Sequence, residues 1–230
     1  MTEQERLLNL LTDKKISEED FNMLSMALDK RPTRLMSVLY FLVNPFQKIA
    51  GLKALYLGAI VLLLMSALGF YAKTYYVNIM TSIDVGMNPN HQANYTFWLV
   101  LYQNIICCLS LSFSYLLFAK LFRQKGLRLI DFFGTVMLAR IPFLFDTLTD
   151  MVFKILIPNF FTDPNIFLRP SLLIGIFELQ NLLLGLWAIA LYFYALKESS
   201  GLTGNKLWIA TIGSFLLATV ISSKLTMFFV

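Results

Sequence analysis

Two charged side chains fall inside long apolar stretches, where they could bind an ion or transfer a proton. Arg140 lies in the third such stretch and Glu178 in the fourth. At about 1.5 Å of rise per residue, both reach the middle layer of a hydrocarbon core about 30 Å thick. An unpaired charge at that depth is costly. Their matched depth and opposite charge therefore predict an ion pair between Arg140 and Glu178.

Four further polar residues complete a candidate intramembrane polar cluster. Gln103 and Asn104 enter the same layer from the second stretch, and Asn181 follows one helical turn after Glu178. Asp146 lies nearer the outer end of the third stretch, where a side chain can extend towards water. The cluster predicts either a structural clamp or a site for a proton or a substrate. Both interpretations remain open at this point.

Proline at position 142 should distort the third stretch beside Arg140. Proline has no backbone N–H, so the carbonyl of Leu138 loses its helical partner. We therefore predict a kink next to the buried arginine.

The residues required for several kinds of enzyme chemistry are missing. The single histidine, His91, excludes a zinc site built on a histidine pair. The sequence has no glycine-rich phosphate loop, dinucleotide fingerprint or nucleophile elbow. The two cysteines, Cys107 and Cys108, are adjacent in an apolar stretch and cannot easily bridge each other. We therefore predict a protein that is not an enzyme and has no cofactor or metal.

The composition indicates the solvent in which these residues lie. Hydrophobic residues make up 57% of the 230, charged residues only 14%, and the mean hydropathy is +0.66. A soluble domain is typically about 25% charged. This composition excludes a disordered chain or a disulfide-stapled secreted module, and it disfavours a water-soluble globule. The net charge of +5 forms no basic soluble face, so a nucleic-acid partner is not predicted.

The fold class that follows is an all-α, polytopic membrane helix bundle with five transmembrane helices. Each apolar stretch has the roughly 20 residues that a spanning helix requires. The predicted spans are residues 54–72, 95–119, 131–157, 171–196 and 207–228.

Helix faces within these spans indicate how they pack. Spanning helices associate through small and hydrogen-bonding residues. The fifth span carries a helix-packing stripe at intervals of four, namely Ala210, Ser214, Ala218 and Ser222. We also expect the faces led by Gln103 in the second span and Glu178 in the fourth to point into the bundle.

The positions of the basic residues predict the orientation. With the N-terminus in the cytoplasm, eleven Lys and Arg residues flank the spans on the inner side and four on the outer side. This agrees with the positive-inside rule and with an odd number of spans. We therefore expect a cytoplasmic N-terminus, an outside C-terminus and, for a bacterial chain, the cytoplasmic (inner) membrane. The charged first 29 residues contain no signal-peptide apolar core.

Two regions precede the spans. Residues 1–30 read as a short cytoplasmic helical hairpin, in which Ser17 is a good N-cap. Residues 31–53 read as a basic hinge and an interfacial amphipathic helix, because the apolar run 35–43 is too short to span and basic residues flank it. Residues 54–230 form the membrane domain.

The first of these regions resembles a known helical module. It carries Leu7, Leu8 and Leu11, then Lys15-Ile16-Ser17-Glu18-Glu19-Asp20-Phe21, then Leu24 and Leu28. This pattern is similar to the helical hairpin called SHOCT, over about 25 residues.

The membrane region resembles the Yip family of Ypt/Rab-interacting membrane proteins, especially its bacterial members. The resemblance covers about residues 40–228. It rests on Asn44-Pro45-Phe46 after the interfacial helix, on Leu138-Ala139-Arg140-Ile141-Pro142, and on the loop from Leu196 to Lys206. The Asp-Leu-Tyr-Gly-Pro-type element of eukaryotic members is missing. The family resemblance implies a non-enzymatic protein that organises membranes or trafficking through protein contacts, without indicating Rab-GTPase binding.

Two classes of function therefore stay open. The first is a membrane-organising or scaffolding protein that contacts the lipid bilayer and unknown protein partners, in part through residues 1–30. The second is a small ion or solute transporter or channel that uses the mid-membrane polar layer. A homo-oligomer is compatible with either class.

Overall fold

The computed structural model describes residues 10–12, 17, 20–21, 34–84, 95–156 and 172–227. The chain divides into two compact units, residues 1–42 and residues 43–230.

In the first unit, Ser17 begins a helical segment, as predicted. Its Oγ accepts a hydrogen bond from the Asp20 backbone N–H at 3.1 Å, and its carbonyl accepts one from the N–H of Phe21 at 2.9 Å. Residues 10–12 are also helical, and the rest of the predicted hairpin lies outside the described residues. Helix α1, Arg34–Val43, follows with exposed apolar side chains.

Within the described residues, the second unit begins with a 3₁₀ helix at Pro45–Gln47 and consists mainly of six helices. They are α2 (Gly51–Ala72), α3 (Phe97–Leu121), α4 (Leu129–Leu138), α5 (Ile141–Leu156), α6 (Leu172–Ser200) and α7 (Gly204–Met227). Four of them, α2, α3, α6 and α7, are long and apolar enough to cross a membrane. Because a backbone in lipid must satisfy its own hydrogen bonds, such stretches form helices. The chain therefore belongs to the broad class of integral membrane proteins.

The predicted third span is two helices rather than one. Helix α4 ends at Leu138, and α5 begins at Ile141. The kink predicted at Pro142 is confirmed and is a complete break. Arg140 caps the second piece, since its carbonyl accepts hydrogen bonds from the N–H groups of Phe143 and Leu144 at 3.0 and 3.2 Å. Helix α4 has 10 residues and α5 has 16, so neither alone is long enough to cross a membrane.

Helices α4 and α5 run alongside α2 in the same direction. Two glycines allow the close approach. A Cβ on Gly134 would lie 2.7 Å from the backbone nitrogen of Leu55, and one on Gly58 would lie 2.6 Å from Cβ of Met137. At the far end, the Lys154 ammonium donates a hydrogen bond to the carbonyl of Ala72. The pair α4–α5 therefore accompanies α2 along its whole length.

A short hairpin follows α2, between the first and second predicted spans. Strands β1 (Thr74–Tyr76) and β2 (Ser82–Asp84) pair antiparallel, with Tyr75 opposite Ile83. The Tyr95 hydroxyl, just before α3, donates to the carbonyl of Gly69 in α2 at 2.5 Å and to that of Thr74 in β1 at 3.2 Å. Near the end of α7, Thr226 Oγ1 donates to the carbonyl of Val77 at 2.6 Å. The hairpin region thus ties α2, α3 and α7 together at one end of the bundle.

Helix α3 lies at the centre, in contact with α2, α4, α6 and α7. The other long helices are less enclosed, and α6 is the least buried of the four. Only 22% of its most apolar stretch is buried, compared with 33–50% in the other three. The core therefore surrounds α3 and leaves much of α6 facing outward.

Candidate functional site

Arg140 lies inside the second unit and is only 1% exposed. It occupies the break between α4 and α5, so the break directs a charged side chain into the core. Its Nη2 donates a hydrogen bond to Asn104 Oδ1 of α3 at 3.2 Å. The structure therefore brings together two of the predicted cluster residues, Arg140 and Asn104.

Two aromatic rings also contact the guanidinium. The Cζ atom of Arg140 lies 5.6 Å from the ring centroid of Tyr76 and 5.2 Å from that of Phe143. A cation over an aromatic face is attracted by the ring quadrupole, and more strongly when water is excluded. These rings therefore supply part of the stabilisation that a carboxylate would otherwise provide.

The hydrogen bonds continue from Arg140 towards α2. Asn104 Nδ2 donates to Ser66 Oγ at 3.0 Å, and Ser66 Oγ donates to the carbonyl of Leu62 at 2.8 Å. All three polar side chains in this chain of bonds are buried. It joins α2, α3 and the break between α4 and α5.

Gln103 and Tyr76 extend the polar centre towards the hairpin. Gln103 Oε1 accepts a hydrogen bond from the backbone N–H of Tyr76 at 3.1 Å. The Tyr76 hydroxyl and Thr147 Oγ1 are 2.6 Å apart. Burial raises the pKa of the Tyr76 phenol well above its usual range, so the phenol stays neutral. The hairpin, α3 and α5 are thereby held to one another.

The ion pair expected between Arg140 and Glu178 does not form. Glu178 lies on an exposed face of α6, whereas Arg140 is buried and bonded to Asn104. Matched depth led to the expectation, but depth does not determine which way a side chain points around its helix. The buried positions of α6 include Ile174, Phe177 and Ala188, so the expectation that Glu178 points inward is wrong. Asp146 of α5 is partly buried and has no ion pair with Arg140.

Three polar atoms of the predicted cluster are buried without a hydrogen-bond partner among the described residues. They are Arg140 Nε, Gln103 Nε2 and Asn181 Oδ1. The first two are donors, so each could bind an acceptor supplied from outside the described residues. Chemically, this arrangement can hold helices together and can attract an acceptor. Among the described residues, it has no carboxylate or histidine in contact with Arg140 that could exchange a proton.

Sequence reasoning missed three members of this centre, Ser66, Tyr76 and Thr147. Ser66 is a polar residue in the middle of the first predicted span, which was a usable signal. Thr147 lies in α5 after Pro142, and its side chain is buried. Nothing in the sequence indicated Tyr76, because a hairpin outside the spans brings it to the arginine.

The packing stripe of α7 lies in the interior. Ala210, Ser214, Ala218 and Ser222 are all fully buried. Helix α7 packs mainly on α3, where the Phe118 ring lies directly against Gly213. Small residues at these positions allow the two helices to approach closely.

A second polar contact joins distant parts of the sequence near the start of α2. Asn44 Nδ2 donates to Glu198 Oε1 at 2.9 Å, and Gln47 Nε2 donates to the same oxygen at 3.4 Å. Asn44 is buried beside Phe46 of the 3₁₀ helix. The contact fastens this 3₁₀ helix to the end of α6.

The outward face of α6 is a continuous exposed surface around Glu178. Six of its exposed residues recur at alternating intervals of three and four, namely Leu172, Gly175, Leu179, Leu182, Leu186 and Ile189, and Ile176 and Leu183 are exposed beside them. We call these six residues together with Glu178 the α6 outer face. A Cβ added at Gly175 or Gly185 would meet no atom within 4 Å.

No family model matches the chain, and no curated protein or solved structure matches it either.

Proposed function

We propose that this chain is a non-enzymatic membrane protein of Yip type, which organises or scaffolds membranes through contacts with other proteins. The α6 outer face is the observation that carries the proposal. It is the least buried long surface of the bundle, and it exposes a carboxylate within an apolar span. A polar group that faces lipid is costly, whereas one that faces another protein helix can be satisfied.

We further propose that α4 and α5 together make a fifth crossing. They accompany α2 from the glycine contacts near its start to the bond between Lys154 and Ala72 at its end. Helix α2 has 22 residues, or about 33 Å at 1.5 Å per residue. A broken helix is tolerated at membrane depth where it is buried in protein, and the break at Arg140 is buried.

The charge distribution supports a cytoplasmic location for the end where α2, α4 and α7 begin. Exposed basic residues cluster in this end of the second unit, and they are Lys48, Lys53, Lys120, Arg123, Lys125, Arg128 and Lys206. Positive charge is retained on the cytoplasmic side of membranes. On this basis we propose that the chain lies in a bacterial inner membrane, with its N-terminus inside, α1 in the membrane surface and its C-terminus outside.

Photo-crosslinking in native membranes tests the proposed function. A photoreactive amino acid replaces Leu182 of the α6 outer face or, as a matched control, Leu216 of α7. These leucines are 60% and 66% exposed. We expect discrete protein adducts from position 182 and mainly lipid adducts from position 216. The proposal is wrong if position 182 gives no protein adduct. Pull-downs that depend on residues 1–30 would identify a second contact region.

The buried guanidinium favours a second candidate function, a small transporter or channel. Arg140 has no carboxylate partner, and its Nε and Gln103 Nε2 lack acceptors among the described residues. An anion or a polar solute could supply such an acceptor. Flux of ions or solutes into liposomes, abolished by Arg140→Met with the fold retained, would support this candidate over scaffolding.

A further inference from the structure

We propose that the α6 outer face docks a single transmembrane helix of a different protein, and that a Lys or Arg of that helix neutralises Glu178. This inference rests on the proposed function and specifies the chemistry of the partner. Three observations carry it: the spacing of the exposed residues, the position of the carboxylate, and the mismatch when α6 is paired with itself.

The spacing fits the packing of one helix along α6. Leu172, Leu179 and Leu186 are seven residues apart, and so are Gly175, Leu182 and Ile189. These are the alternating core positions, a and d, of a left-handed helix pair. Every one of them is exposed. Gly175 adds a point where a neighbouring backbone can approach closely, since nothing occupies the space beside it.

Glu178 is the residue that requires a basic partner. It lies six residues, or about 9 Å, inside the first residue of α6, beside the core position Leu179. It is exposed and has no ion pair or hydrogen bond within the part of the chain that the structure describes. A carboxylate at such a depth is rare in membrane spans and is usually paired. Within the described residues, Arg140 is buried and bonded to Asn104, so it is unavailable to Glu178.

The geometry disfavours a second copy of this chain as the occupant. In a parallel helix pair, the residue before an a position, called g, faces the e position of the neighbouring helix. With Leu179 at a, Glu178 takes the g position and Leu183 takes the e position. Two copies of α6 would therefore place each carboxylate opposite a leucine. A different helix with Lys or Arg at that position satisfies both the apolar seam and the charge.

A designed probe tests the inference directly. The probe is a single-span peptide of Leu and Ala with one Lys about 9 Å from its outer end, and its matched control has Leu in place of Lys. The full-length chain is reconstituted in phosphatidylcholine vesicles, and association is measured by energy transfer. We expect the Lys probe to bind roughly fivefold to thirtyfold more tightly than the Leu probe, because it makes one additional interhelical polar contact.

Variants of the chain identify the surface. Glu178→Gln should abolish the preference for the Lys probe, and Glu178→Asp should retain part of it. Leu182→Trp should weaken binding of both probes because it disrupts the seam, whereas Leu216→Trp on α7 should not. Since all three positions are exposed, each variant should retain the thermal unfolding midpoint of the wild type, which confirms the fold.

Four results would overturn the inference. The first is equal binding of the two probes, and the second is a preference that persists in Glu178→Gln. The third is energy transfer between two labelled copies of this chain that Glu178→Gln abolishes, which would make a second copy the occupant. Protein adducts at position 182 that persist in Glu178→Gln membranes would also overturn it while leaving the proposed function intact.

Discussion

Among the described residues, Arg140 is held without a carboxylate by the amide oxygen of Asn104 and two aromatic rings, and the Tyr192 hydroxyl and the Cys107 thiol also lie beside it. Burying an unpaired charge is costly, so the remaining contacts must be well placed. The Asn104 side chain makes two hydrogen bonds: it accepts one from the guanidinium of Arg140 and donates one to Ser66. At this scale, the polar centre works as a junction among α2, α3, α4 and α5.

Substitutions of Asn104 test this junction. Asn104→Leu should lower the free energy of unfolding by about 1.5–3 kcal/mol, because it leaves a buried charged donor without its acceptor. Asn104→Asp should be tolerated much better, since a carboxylate can accept from Arg140 and from the Ser66 hydroxyl. Thermal or denaturant unfolding of the detergent-solubilised chain measures both. Equal destabilisation by the two substitutions would contradict this role for Asn104.

At the scale of elements, the contact between α2 and α4 depends on two glycines. Gly58 and Gly134 each lie where a Cβ would press on the backbone or side chain of the other helix. The two helices bring the break at Arg140 beside Ser66 and Asn104. Helix α6 differs, because its glycines at positions 175 and 185 face open space.

Because these glycines have different surroundings, alanine substitutions at Gly134 and Gly185 can be compared. Gly134→Ala should lower the free energy of unfolding by about 1–3 kcal/mol, since the backbone of Leu55 cannot move aside easily. Gly185→Ala should leave it unchanged or raise it slightly, because alanine favours a helix more than glycine does. Unfolding midpoints in the same detergent provide the comparison. If Gly185→Ala were the more damaging of the two, the assigned packing would be wrong.

At the scale of the whole molecule, the number of crossings decides on which side each loop lies. Four uninterrupted helices are long enough to cross, and α4 with α5 makes the proposed fifth crossing. With five crossings, the loop before α4 and the turn before α7 lie in the same compartment. With four, they lie on opposite sides.

Cysteine labelling separates these topologies. Lys125→Cys, in the loop before α4, and Thr203→Cys, before α7, are both at exposed positions, and Thr81→Cys marks the opposite end. We expect a membrane-impermeant maleimide to label position 81 in intact cells, and positions 125 and 203 only after permeabilisation. The native Cys107 and Cys108 are 0% exposed and should not react. Opposite accessibility of positions 125 and 203 would exclude the fifth crossing.

The sequence by itself determined what depends on local composition and spacing. Long apolar runs form helices because a backbone in lipid must satisfy its own hydrogen bonds, so four of the five predicted spans appear with ends shifted by no more than four residues. The distortion at Pro142 and the cap at Ser17 were predictable because both depend on backbone groups within four residues. The candidate residues Gln103, Asn104 and Arg140 were recognisable as polar groups in apolar stretches.

Only the tertiary structure decided which of these groups meet. Depth along a helix follows from residue number, but the direction of a side chain around the bundle depends on how all the helices pack. Arg140 therefore bonds to Asn104 of α3, while Glu178 at a similar depth faces outward on α6. Tyr76 reaches the arginine through a hairpin, and Asn44 reaches Glu198 across 154 residues of sequence. Such contacts depend on the packing of distant elements, which spacing within one helix cannot encode.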